Sequence, residues 1–152
     1  MRRILLGFAA GALAVPVFHQ TALALLHAAG VGPAAWNMTA IPPFGVPALL
    51  SASFWGGLWG IVLALVEPRF PKGGAAAYWL TALAFGAVLP TLVVYLVVLP
   101  LKGVPLSAAL GWPGIIIGPV VNGAWGLGAA LLFRAFAGRG ERLMGASEPL
   151  SR

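Results

Sequence analysis

The sequence predicts an all-α, polytopic membrane protein with four transmembrane helices, and three observations carry that prediction. Of its 152 residues, 61% are hydrophobic and 8% are charged, whereas a soluble domain carries roughly a quarter charged residues. The mean hydropathy is +0.98. A chain with so few polar side chains cannot cover itself, so its outer surface must face an apolar medium. The second observation is placement: no Asp, Glu, Lys or Arg occurs from Ile4 to Val66, from Gly73 to Leu101, or from Gly103 to Phe133. Each block is longer than the about 20 residues with which a helix crosses a hydrocarbon core. The third is that the basic residues stand at the ends of apolar segments and alternate between connections.

The first span is expected over about 4–28. Met1-Arg2-Arg3 followed by Ile4 to Val15 imitates a secretory signal peptide, and Ala12-Leu13-Ala14 supplies a small-x-small pattern. The apolar stretch runs past Pro16 to Ala29, however, which is spanning length and favours an uncleaved helix. Further spans are expected over about 46–66, 75–99 and 114–136, which makes 1–137 one transmembrane domain. Helices follow because lipid offers no partner for an open strand edge, and the runs are too long and continuous for barrel strands. The polar, Gly-rich segment 138–152 is expected to be a disordered tail. Pro16 and Pro90, near mid-span, each remove a backbone hydrogen bond and are expected to kink their helices.

Orientation is read from the loops. Arg2 and Arg3, Arg69 and Lys72, and Arg134, Arg139, Arg142 and Arg152 fall on faces that an even number of crossings brings together. The other two connections, 29–45 and 100–113, hold a single Lys102. The positive-inside bias places both termini in the cytoplasm. Trp36 and Trp112 then fall near the outer boundary, and Tyr78 and Trp79 near the inner one. The first outer loop, with Trp36, Met38, Ile41, Pro42, Pro43 and Phe44, is expected to lie on the membrane surface or over the bundle. Its Asn37-Met38-Thr39 matches a glycosylation sequon, a pattern that carries little outside a eukaryotic secretory context.

Two halves of the chain resemble each other. Gly57-Leu58-Trp59-Gly60 matches Gly123-Ala124-Trp125-Gly126, Gly11 to Pro16 loosely matches Gly86 to Pro90, and Gly30-Val31-Gly32-Pro33 matches Gly103-Val104-Pro105. In order, these suggest a two-helix hairpin duplicated in tandem, with parallel repeats about an axis along the membrane normal. Chance is the alternative, since a sequence rich in Gly, Ala and Trp matches itself easily. Gly7/Gly11, Gly56/Gly60 and Gly114/Gly118 form G-x-x-x-G pairs, and Ala52, Gly56, Gly60 and Ala64 extend one into a stripe. Small residues on one face let helix backbones approach closely. Packing within one four-helix bundle is the preferred reading of these stripes; a homo-oligomer interface is the other.

The informative residues are the few polar ones inside the spans. With about 1.5 Å of rise per residue, His19 falls roughly 5 Å outward of its span's centre. Gln20 follows it, and Ser53, Thr91 and Asn122 come out at a similar depth. One polar layer in the outer half of the membrane is therefore expected, serving either as a site, the default for an intramembrane His, or as interhelical hydrogen bonding. Ser53 and Thr91 lean to structure, while His19, Gln20 and Asn122 are balanced. His19 and His27 cannot clamp one metal, being about 12 Å apart along one helix, and a bis-His haem would need facing histidines on two helices. No cofactor is expected.

Composition also excludes function classes. There is no cysteine, hence no disulfide or thiolate chemistry. The net charge of +6 is distributed as helix-end charge and not as an aromatic-interleaved stripe, which argues against nucleic acid. No carboxylate lies within a span, which disfavours a proton- or sodium-coupled transporter, and no catalytic constellation is complete, so no enzyme is expected. The expectation is a non-enzymatic accessory or assembly module, alone or in a larger membrane complex. The alternative is a small transporter, channel or lipophile-binding protein with a polar cavity.

Val17-Phe18-His19-Gln20, Ile41-Pro42-Pro43-Phe44-Gly45-Val46-Pro47, Phe54-Trp55-Gly56-Gly57-Leu58-Trp59-Gly60 and Asn122-Gly123-Ala124-Trp125-Gly126 together resemble small, uncharacterised four-span inner-membrane proteins of proteobacteria. The resemblance covers most of the chain and implies a bacterial inner-membrane location. It transfers no activity.

Overall fold

The computed structural model describes residues 1–145, and side chains through residue 138. Four long helices dominate: α1 (Arg2–Ala28), α2 (Ala48–Val66), α3 (Ala75–Leu101) and, after a short α4 (Leu106–Leu110), α5 (Gly114–Gly145). Each of the four is long and apolar enough to cross a membrane. The predicted spans are matched within a few residues except at the C-terminus. There α5 continues to Gly145, so the expected disordered tail begins as helix; residues 146–152 lie outside the described part. The expectation of an all-helical chain also needs one amendment. Ala40–Ile41 (β1) pairs antiparallel with Val46–Pro47 (β2), a hairpin tip inside the loop between α1 and α2.

One mid-helix proline lies in a π turn, and a second π turn follows the regular helix that holds the other. Val15–His19 contains Pro16, and Val94–Val98 begins four residues after Pro90. Proline lacks the N–H that continues the regular ladder, and a wider turn restores backbone pairing without ending the helix. Gln20 N–H accordingly donates to Val15 O, and Leu99 N–H to Val94 O.

The core is made of two antiparallel hairpins, α1 with α2 and α3 with α5, each crossed on glycine. A Cβ on Gly11 would overlap Gly56 O and stand 2.7 Å from Gly60 Cα; a Cβ on Gly86 would overlap Asn122 O and stand 2.7 Å from Gly126 Cα. The flanking contacts repeat as well. Phe8 covers Gly57 as Leu83 covers Gly123. The C-terminal ends of α1 and α3 close in the same way, with Gly30 (φ +77°) and Gly103 (φ +73°) in the left-handed region. Val31 N–H then reaches back to Leu26 O at 2.8 Å, and Val104 N–H to Leu99 O at 2.9 Å, the glycine-terminated cap in which the chain turns out of the helix. Gly114 and Gly118, by contrast, meet no helix backbone crossing: Gly114 abuts Ala109 O, and Gly118 lies under Tyr95 and Thr91 side chains.

Packing between the hairpins is not repeated. α1 meets α5 closely, with Phe18 seated on Gly128 and the Trp125 indole bonded to Gly11 O at 2.9 Å. Between α2 and α3 the space is filled by rings: Trp59 against Phe85 at 6.2 Å, and Phe70 against Tyr78 at 5.6 Å. At the end holding the N-terminus, Arg3 ion-pairs with Glu67 at 2.7 Å and lies 4.9 Å over the Phe133 ring. Tyr78 O–H donates to the same carboxylate at 3.2 Å, and Arg134 covers Tyr78 at 4.7 Å. Arg2 donates to Ala137 O at 3.3 Å, so the basic residues of α1, α2 and α5 share one end of the bundle and Lys102 stands at the other.

Candidate functional site

The polar residues singled out by depth do not form one cluster. They divide between the hairpins. On α3 and α5, Asn122 Nδ2 donates to Thr91 Oγ1 at 2.9 Å; Thr91 is 4% exposed. The bond joins two helices at the glycine crossing, because Asn122 is also the residue whose main-chain oxygen meets Gly86. On α1, Gln20 is 7% exposed, and its Oε1 accepts the Trp36 main-chain N–H at 2.8 Å. Its Nε2 lies 3.4 Å from His19 Nδ1, a long contact. Thr21 turns back onto Val17 O of its own helix at 2.5 Å, as a hydroxyl in a span commonly does. Ser53 is half-buried on α2 and joins neither pair. His27 sits at the end of α1, with Nδ1 3.0 Å from Gly32 O, and closes the loop instead of facing His19.

These residues form two separate ties, Asn122 with Thr91 and Gln20 with Trp36, and not one converging layer. Every fully buried side-chain nitrogen or oxygen among the described residues has a hydrogen-bond partner, so the interior polarity is used in holding helices and loops together.

Trp36, read from the sequence as a boundary aromatic, also ties its loop to α1. Its backbone lies in the left-handed region at φ +51°, which costs a non-glycine residue about 1–2 kcal/mol. Two bonds hold it there: its main-chain N–H to Gln20 Oε1, and its indole N–H to Pro16 O at 3.0 Å. The π turn widens the ladder at Pro16 and leaves that carbonyl open to a side chain, and the indole fills the need, since a buried or half-buried Trp N–H seeks an acceptor. The rest of the loop caps α2, Leu49 N–H donating to Asn37 O and Ala48 N–H to Thr39 O, both at 3.0 Å. Asn37 Oδ1 in turn accepts Thr39 N–H at 2.8 Å. The loop is thus a strap tied to the π turn of α1 at one end and to the first turn of α2 at the other. Phe44, 88% exposed at its tip, and Trp112, 71% exposed between α4 and α5, point away from the bundle.

Two crevices open at this same end. One, about 220 Å³, lies under the strap between α1 and α2, lined by Gln20, Leu23, Pro33, Asn37, Leu49 and Ala52. The other, about 290 Å³, lies between α3, α4 and α5, lined by Val94, Tyr95, Leu99, Ala108, Ile117 and Gly118 among others. Tyr95 O–H donates to Gly114 O at 2.6 Å across the second. Neither is lined by His19 or Asn122. Comparisons with protein-family models, curated proteins and solved structures found no match to this chain.

Proposed function

We propose that this chain is a multi-pass inner-membrane protein that acts as a non-enzymatic accessory or assembly module, its four long helices crossing the bilayer with both termini in the cytoplasm. The observation that carries the functional part is the pairing of the polar side chains. Asn122 with Thr91 and Gln20 with Trp36 join helix to helix and helix to loop, which is how a protein uses polar groups to fix packing in lipid. Membrane crossing is supported by four helices with apolar residues exposed all round, such as Leu50, Phe54 and Val62 on α2 and Leu80, Leu89 and Leu96 on α3. Orientation is supported by Arg2, Arg3, Arg69 and Arg134 standing at one end against Lys102 at the other.

The repeated glycine crossings, Phe8/Leu83 covers and glycine caps support descent from a duplicated two-helix hairpin. The glycine crossings and their Phe8/Leu83 covers share one offset along α1 and α3, and the glycine caps recur two residues away from that offset. The unequal interface between the hairpins is what divergence after duplication leaves. Residence in a proteobacterial-type inner membrane is supported by the sequence resemblance.

Purification in mild detergent tests the module reading: a stoichiometric protein partner is expected to co-elute, and a strictly monomeric chain without partner would count against it. A second reading, a lipophile-binding protein, is favoured by one observation, the pair of crevices at the sparsely charged end. A third, transport through a polar cavity, finds its candidate residues divided between the hairpins.

A further inference from the structure

The crevices occupy corresponding places in the two hairpins. The register that carries Gly11 onto Gly86 carries Gln20 onto Tyr95, and the register that carries Gly60 onto Gly126 carries Ala48 onto Gly114 and Ala52 onto Gly118. Gln20, Ala48 and Ala52 line one crevice; Tyr95, Gly114 and Gly118 line the other. The hollows arise for one physical reason. In each hairpin the helices touch at the glycine crossing and diverge toward the outer end, and small residues on the first turn of α2 or α5 leave the widening gap unfilled. The polar side chains in the gaps have their oxygens bonded, Gln20 to Trp36 N–H and Asn37 to Thr39 N–H in the first and Tyr95 to Gly114 O in the second, so much of what they present is hydrocarbon or ring surface.

We propose that these crevices are a repeated pair of lipid sites, each taking one acyl chain of a phospholipid from the leaflet at the sparsely charged end. The inference rests on the membrane reading above and adds an occupant to it. Water is a poor candidate, because a water needs two to four polar partners, whereas Val94, Leu99, Val104 and Ile117 form apolar walls. The helices that line the crevices also carry exposed apolar residues, Leu92, Leu96, Ile115 and Ile116 in one hairpin and Leu25 and Leu50 in the other. Leaving the walls bare would forfeit dispersion contact along the whole lining. An acyl chain is the one flexible apolar group that a bilayer supplies at high concentration.

The test is native mass spectrometry of the chain extracted in mild detergent from phospholipid membranes. Two retained phospholipids are expected on the unaltered protein. Ala52→Phe fills one crevice and Ala108→Phe the other, so each is expected to lower the count to one, and the double variant to abolish retention. Retention unchanged by either substitution would overturn the proposal. Because a variant can fail by misfolding, the unaltered chain is also exposed to a phospholipid with a photoreactive group on its acyl chain. Adducts concentrated on segments 20–52 and 94–118 support the sites. Even labelling over exposed residues such as Leu80 and Leu89 overturns the sites and leaves membrane embedding intact, and no labelling at all removes both.

Discussion

The indole N–H of Trp125 donates to the main-chain oxygen of Gly11, 2.9 Å away and sealed from solvent, across 114 residues of chain. Tyr78 and Glu67 also bond between the hairpins, at the end of the bundle that holds the N-terminus; the Trp125 bond is the buried one among the described residues, and glycine at position 11 makes it possible. A side chain there would collide with Gly56 and Gly60, and pushing α2 away would disturb the packing that brings α5 to the same carbonyl. One residue therefore serves both the crossing within a hairpin and the joint between hairpins.

Trp125→Phe keeps most of the ring and removes the donor. The expected cost is about 0.5–1.5 kcal/mol, the net worth of one hydrogen bond, read as reduced resistance to thermal unfolding in detergent. Trp59→Phe, at the matching place in the other hairpin but packed on Phe85 through its ring, is expected to cost less.

Gly11→Val and Gly86→Val place carbon against backbone that cannot retreat without opening a hairpin. Overpacking of this kind costs about 1–3 kcal/mol. If the two crossings are equivalent, the two variants lose stability by similar amounts, while Gly73→Val, with open space around it, loses little. Unfolding curves in one detergent compare all three.

Asn122→Leu and Thr91→Val separate structure from function in the polar layer. A double-mutant cycle is expected to show a favourable coupling of about 0.6 kcal/mol and not above ~2, the range for hydrogen bonds between helices in membranes. A coupling near zero would mean that the 2.9 Å contact contributes nothing to packing.

Much of this fold was legible because charge-free blocks and helix-end arginines answer to lipid, a simple solvent with one demand. The sequence stopped short where direction mattered more than depth. His19, Gln20, Ser53, Thr91 and Asn122 were assigned one depth from their positions along the spans, but helices that are apolar all round carry no stripe to say which way a residue faces. Their division into a Gln20–Trp36 tie and an Asn122–Thr91 pair was therefore invisible. Trp36 was read for its ring, as a boundary aromatic, and Trp125 only as part of a repeated Gly-x-Trp-Gly stretch. The signal that would have found their bonds was chemical: an indole N–H held in an apolar setting must have an acceptor, and helix carbonyls near Pro16 and Gly11 were the accessible ones. The repeat was half-visible as matching glycines. Its register became clear once each glycine could be paired with the atoms it touches.

The central claim is that these helices cross a membrane with the arginine-rich end inside. The chain has no cysteine, so Arg69→Cys and Lys102→Cys each introduce a single reactive thiol, to be labelled with a membrane-impermeant maleimide in intact cells. Cysteine at position 102 is expected to react at once and cysteine at position 69 only after the membrane is opened; equal reactivity of both in intact cells would contradict the account.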